Sequence, residues 1–156
     1  YEALGVETPF TIEHEGVVVR GVIDRLEKTP EGRVLVVDLK TGTPQTDAAV
    51  VDNPQMLAYQ MALESPGIQQ VLGDTAPVSA GAILLFVKSG VRGKTYRLAA
   101  QEPLTAEKRE AFLERVESAA RLIAAHQFAG EPRAFGRPGT PARHRWHAIA
   151  QVCGDA

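Results

Sequence analysis

The stretch Arg33-Val34-Leu35-Val36-Val37-Asp38-Leu39-Lys40, read against Val17-Val18-Val19-Arg20-Gly21-Val22-Ile23-Asp24 before it, decides the fold. Both runs are rich in β-branched residues and long enough to be strands. Between them Thr29-Pro30-Glu31-Gly32 is turn-like, so the pair predicts an antiparallel hairpin. The first run ends on an acid and the second on Asp-x-Lys. Strand alternation puts Asp38 and Lys40 on one face. Leu39 lies on the other with Leu35 and Val37, and that second face is expected to enter the core.

Working outward, Pro9 to Glu13 reads as a short, mixed strand. Thr41-Gly42-Thr43-Pro44 ends the central strand. Asn53-Pro54 is a helix start, since Asn caps and Pro fits the first helical position. That helix is expected from Pro54 to about Leu63, stopping before Pro66-Gly67. Ala80 to Val87 is an apolar strand, with Lys94 to Leu98 as its partner across a Ser89–Gly93 turn. Thr105 opens the longest helix, expected to end near Gln127. Along it Phe112, Val116, Ala119 and Ile123 recur at helical spacing, and Glu117 and Arg121 form an i,i+4 pair. Strands, helix, strands and helix in this order predict an α/β domain with a mixed central sheet flanked by helices. The expected division is a core over residues 1–130 and a basic, Pro/Gly-rich tail over residues 131–156.

The 156 residues suit one domain with a real core. A hydrophobic share of 44% and a charged share of 23% exclude a disordered chain. No apolar run is long enough to cross a bilayer, so no membrane partner is expected. The first residues carry neither a signal peptide nor an initiator Met, and a piece of a longer protein is the expectation. A single cysteine, Cys153, allows no internal disulfide and fits a reducing, cytoplasmic setting. The net charge of −2 does not by itself suggest a nucleic-acid binder. The charge is unevenly spread, however. Pro132 to Cys153 holds Arg133, Arg137, Arg143, Arg145, His144 and His147 and no acid. Such a segment either meets phosphates or is simply a solvated tail.

A charged pair ending an apolar strand needs compensation, because an unpaired buried charge is costly. Pairing of the two strands sets Asp24 beside Asp38. Two close carboxylates repel, and a hard divalent cation such as Mg²⁺ between them removes the conflict. Lys40 then stands beside a metal-bound water or an attacked phosphate, which gives a site for phosphodiester hydrolysis. A surface ion pair at a strand end is the alternative for a lone Asp-x-Lys. Gln55 and Tyr59, one turn apart on one helix face, add polar groups to the candidate site. Hydrolysis of a small phosphate ester would use similar chemistry, but no Gly-rich phosphate loop is present.

Gly21-x-Ile23-Asp24-Arg25, then Asp38-Leu39-Lys40-Thr41-Gly42, then Gln55-x-x-x-Tyr59 together resemble the RecB-type branch of the PD-(D/E)xK nuclease superfamily. The motifs stand in the family's order over Glu7 to Leu63. The resemblance implies a restriction-endonuclease-like fold, Mg²⁺ or Mn²⁺ as cofactor, and DNA as substrate, single-stranded where a helicase feeds it. It implies a helicase domain in the same chain or a partner subunit, acting in recombinational DNA repair. Endonuclease and exonuclease action are left open. By position, Asp24, Asp38 and the Leu39 carbonyl become metal ligands and Lys40 the catalytic lysine. Gln55, Tyr59 and Arg25 become DNA-contacting residues. Some relatives keep the fold as a catalytically inactive DNA-binding or scaffolding module.

The chain departs from that family at two places. A helix bearing His or Glu often precedes the first strand; here Glu7 and His14 are the nearest groups, the first expected on an edge strand and the second in the turn before Gly16. Many relatives also hold an iron–sulfur cluster on four cysteines. The corresponding positions read His144, His147 and Cys153, so no cluster is expected. A zinc site there would lack a fourth ligand.

Overall fold

In the computed structural model, residues 1–88 and 95–125 are described. Residues Tyr1–Ala120 form one compact unit. The described part of the second unit, residues 121–125, is the end of a helix. Five strands build one sheet in the order β1-β2-β3-β4-β5: Glu2–His14, Val17–Lys28, Val34–Lys40, Ser79–Phe86 and Arg97–Gln101. All neighbours are antiparallel except β3 and β4, which run parallel. The crossover between that parallel pair carries α1 (Asp47–Val50), α2 (Pro54–Ala62) and α3 (Pro66–Leu72), and α4 (Ala106–Ala124) follows β5. Parallel neighbours need such a crossover, and helices supply it.

The β2–β3 hairpin forms as its sequence predicts, with β2 longer by four residues at its C-terminal end. The first strand is far longer than Pro9–Glu13. It pairs along most of β2, and a turn at Glu15-Gly16 joins them, both residues at positive φ (46° and 77°). Two consecutive left-handed residues match the twist of a hairpin, and glycine takes the second place without strain. His14 therefore ends a strand, paired with Val17, and does not lie in the turn. The second hairpin places β5 at Arg97–Gln101; residues 89–94, including Lys94, lie outside the described residues.

Asn53 caps α2 as expected, its Oδ1 accepting the N–H groups of Gln55 and Met56 at 3.0 and 3.2 Å. Pro66-Gly67 does not merely stop that helix; Pro66 opens α3, because a first helical position needs no N–H. Thr105 Oγ1 accepts the Lys108 N–H at 3.3 Å and starts α4. The expected end near Gln127 lies outside the described residues. Of the stripe on α4, Phe112 is buried and Val116 half-buried, whereas Ala119 and Ile123 are exposed.

The core lies between the sheet and α2. Ile23, Leu26, Val36, Leu84 and Phe86 from the strands meet Met56, Tyr59, Ala62 and Leu63. The other side of α2, Leu57, Ala58 and Met61, packs on Phe112. Every residue of α2 from Met56 to Ala62 is buried, so this helix is fixed on both sides. A buried polar network holds it along its axis. Gln60 Nε2 donates to Gln101 Oε1 and to the Glu102 carbonyl, and Gln60 Oε1 accepts from Ser79 Oγ and the Leu104 N–H.

One expectation about β3 is met only in part: on the face of Leu39, Val37 is buried and Leu35 half-buried, but Leu39 itself is 49% exposed, while Val34, Val36 and Asp38 are buried on the other face. The covering helix packs on the face that carries the acid, so the leucine between the two charges is left outside.

Candidate active site

Pairing between β2 and β3 stops at Arg25 with Val37. Before that point β2 continues with β1 alone, and the strands fork. Asp24 is the first residue beyond the fork. Asp38 would be its partner if the register continued. Along β2 the two fully buried residues Ile23 and Leu26 are three apart, which breaks strict alternation. The break coincides with Glu7 on β1, which has φ 47° and would pair with Asp24 in register but does not. This phase change carries Asp24 to the face of Leu26 and hence of Val36 and Asp38.

Asp24 Oδ2 accepts the Leu39 N–H at 2.8 Å. That N–H has lost its ladder partner because β2 has turned away, and the carboxylate replaces it. An extended residue directs its N–H and C=O to the same side, so the Leu39 carbonyl also faces the fork. The next residue behaves oppositely, as it must: the Lys40 carbonyl accepts the Val87 N–H beyond β4.

Asp38 is the only charged side chain among the buried described residues, at 2% exposure. Its Oδ1 accepts from Gln55 Nε2 at 3.1 Å. Its Oδ2 lies 2.6 Å from Lys40 Nζ, its ion-pair partner. Lys40 Nζ donates to Gln55 Oε1 at 3.1 Å, and Gln55 Nε2 reaches the Tyr59 hydroxyl at 2.7 Å. Gln55 thus ties the lysine, the buried acid and the tyrosine together. Burial pushes the Asp38 carboxyl above its ordinary value; the Lys40 bond and charge oppose this, and the Asp24 charge adds to it. Burial likewise raises Tyr59, with Gln55 opposing and both acids contributing.

Asp24, Asp38, Lys40, Gln55 and Tyr59 are therefore brought to one place. Arg25 is not. It pairs with Val37, on the opposite face from Asp38, and its Nε is 2.6 Å from Glu27 Oε1. Glu7 is exposed on the edge strand, and His14 Nε2 lies 2.9 Å from Glu117 Oε1 on α4. His144, His147 and Cys153 lie outside the described residues. Among the described residues no group of three or more His, Cys, Asp or Glu stands close enough to hold a metal. The protein groups facing the fork are two carboxylates and a backbone carbonyl. These are hard oxygen donors, and a buried carboxylate with the charge of a second acid acting on it suits a cation such as Mg²⁺ or Mn²⁺ that retains most of its waters.

Sequence reading missed Phe10. Its ring meets Tyr59 edge-on, with centroids 5.7 Å apart and planes at 85°. It lies over Gly21, where an added Cβ would stand 2.7 Å from a ring carbon. The glycine of the Gly-x-Ile-Asp motif thus makes room for the ring that supports the tyrosine. The available signal was the alternation of Thr8, Phe10 and Ile12.

The fold and site define an α/β protein in which a forked mixed sheet assembles an acidic pair, a lysine and a helix-borne Gln-x-x-x-Tyr. The chain belongs to the PD-(D/E)XK nuclease superfamily, whose model matches residues 1–137. Its mixed five-stranded sheet with flanking helices is a restriction-endonuclease-like arrangement. A solved structure described as the crystal structure of SSO0001 is similar at 17% identity and a TM-score of 0.40, over 73% of this chain. This chain spans about half, 48%, of that chain. No curated protein is similar enough in sequence to count as a match. Nucleases of the superfamily generally use divalent metals. No helix among the described residues is long and apolar enough to cross a membrane.

Proposed function

We propose that this chain is a Mg²⁺- or Mn²⁺-dependent deoxyribonuclease domain of the RecB type, hydrolysing phosphodiester bonds of single-stranded DNA supplied by a helicase in recombinational repair. The observation that carries the metal site is the convergence of Asp24 and buried Asp38 at one strand fork, with Lys40 2.6 Å from Asp38. Asp24, Asp38 and the Leu39 carbonyl hold the cation. When bound, it supplies Lewis-acid activation of a water and of the scissile phosphate. Lys40 orients the attacking water and offsets charge on the phosphate, while Gln55 fixes the ammonium. Gln55 lines the approach of the DNA strand, and the hydroxyl of the buried Tyr59 holds its amide. The single-strand preference and the helicase partner rest on the resemblance of the three motifs. The direct test is cleavage of a labelled single-stranded oligonucleotide by the full-length protein with Mg²⁺ or Mn²⁺. Equal cleavage by wild type and Asp38→Ala rejects the reading.

A second reading, a non-catalytic DNA-binding module, is favoured by the small ligand set: two carboxylates and no third acid or histidine among the described residues. It expects metal-independent binding of single strands with no cleavage under any condition. The retention of a mutually repelling acid pair beside a lysine supports the catalytic reading over this one.

A further inference from the structure

A buried carboxylate needs a counter-charge, and Asp38 has one inside the protein. Lys40 Nζ stands 2.6 Å from Asp38 Oδ2 and donates at 3.1 Å to Gln55 Oε1. The amide of the same Gln55 donates to Asp38 Oδ1, so the three side chains close a ring. The ammonium lies against Asp38 Oδ2, on a side chain that is 2% exposed. That is also the oxygen a hard cation needs. Two positive charges cannot share it at contact distance without strong repulsion.

We infer that Lys40 is the resident counter-cation of Asp38 and competes with the divalent ion for Oδ2, so that the lysine holds the metal affinity of the site down. The inference rests on the metal-site reading given above. Asp38 is charge-compensated without metal, and metal entry moves the ammonium off Oδ2. Gln55 Oε1 keeps a bond to the displaced lysine, which leaves Lys40 beside the site instead of swinging into solvent. Metal binding thereby releases the lysine from the acid and makes it available to water or phosphate. The same side chain sets the affinity and receives its catalytic position from the exchange.

The test is metal binding without DNA or turnover. Mn²⁺ affinity is measured by calorimetry and by the metal-dependent rise in Tm for wild type, Lys40→Met, Lys40→Gln and Asp38→Asn. The expected result is tighter Mn²⁺ binding by Lys40→Met, about tenfold or more, with a larger Mn²⁺-induced rise in Tm than wild type. Lys40→Met that is unfolded without metal but folds with Mn²⁺ gives the same answer. Equal or weaker binding by both lysine variants overturns the inference while the metal site stands. Lysine variants that stay unfolded in saturating Mn²⁺ also overturn it, since the ion then fails to replace the ammonium. No binding by any of the proteins overturns the inference and the metal-site reading together.

Discussion

The carboxylate of Asp24 accepts the backbone N–H of Leu39 at 2.8 Å, and this bond closes the fork where β2 leaves β3. One side chain thus has two tasks. It satisfies a stranded donor, and it brings negative charge to the side that Asp38 faces.

The two tasks separate by substitution. Asp24→Asn keeps an oxygen for the Leu39 N–H but loses the charge. It is expected to retain its Tm closely and to lose cleavage by about a hundredfold or more. Asp24→Ala loses both, and in addition unfolds more easily by about 1 kcal/mol. Thermal melts and single-turnover cleavage on the same samples check this. An Asp24→Asn protein as active as wild type would show that Asp24 is purely a backbone cap.

Asp38 gives a pH dependence with a defined sign. Its folded carboxyl titrates above its ordinary value of 3.8, chiefly because it is buried. A carboxyl raised in this way contributes stability that is present below 3.8 and lost as pH rises through the raised folded value. Without metal, Asp38→Asn is therefore expected to be more stable than wild type at about pH 7, with the gap shrinking on acidification. Melts in EDTA across that range measure it. For cleavage the direction reverses, since the ligand must be ionised to hold the cation; activity is expected to fall on acidification.

Much of the placement of these side chains was legible in the sequence, and the reasons are local. Asp38 and Lys40 share a face because strands alternate, and Asn53-Pro54 starts a helix because of capping. Gln55 and Tyr59 stack because they are four apart. What failed was the burial of particular side chains. Leu39 was expected inside and is 49% exposed, because a helix packs on the other face and buries an aspartate. No pattern within one strand says which side its neighbours choose. The length of β1 was hidden by its mixed composition, and α3 by a proline that terminates or initiates equally well. The phase break between Ile23 and Leu26, which turns Asp24 towards Asp38, is a property of two strands and their mutual twist.

Gln55 links three functional groups through one amide. Removing it in Gln55→Ala leaves the helix cap intact, because Asn53 makes that cap. Stability is expected to change by less than about 1 kcal/mol. Cleavage is expected to fall about tenfold to a hundredfold through a freed Lys40. Lys40→Ala lowers the rate further still without weakening metal binding, since the oxygens hold the ion. A parallel loss of rate and metal affinity in Lys40→Ala would make the lysine a structural element.

Asn53 and Gln55 are two residues apart, yet they act on the site differently. Asn53→Ala removes an acceptor for the Gln55 and Met56 N–H groups and is expected to cost about 1 kcal/mol. Because α2 is buried on both sides and held by the Gln60 network, the helix should keep its place and only its first turn should fray. Cleavage is then expected to fall less than in Gln55→Ala. A larger loss would mean that the cap, and not the amide, fixes the lysine.

Gly21 reaches the site from furthest away. A methyl group there would stand 2.7 and 2.8 Å from two carbons of the Phe10 ring. Phe10 is 5% exposed and abuts Tyr59, so the ring has little room to yield except by shifting against the tyrosine. Gly21→Ala is therefore expected to destabilise by about 1–3 kcal/mol and to lower cleavage by moving Tyr59 and its Gln55 bond. Phe10→Leu paired with Gly21→Ala relieves the overlap and should recover stability beyond the sum of the single changes. A double-mutant cycle on Tm and cleavage reads this out. Additive effects would show that the glycine serves some need other than room for the ring.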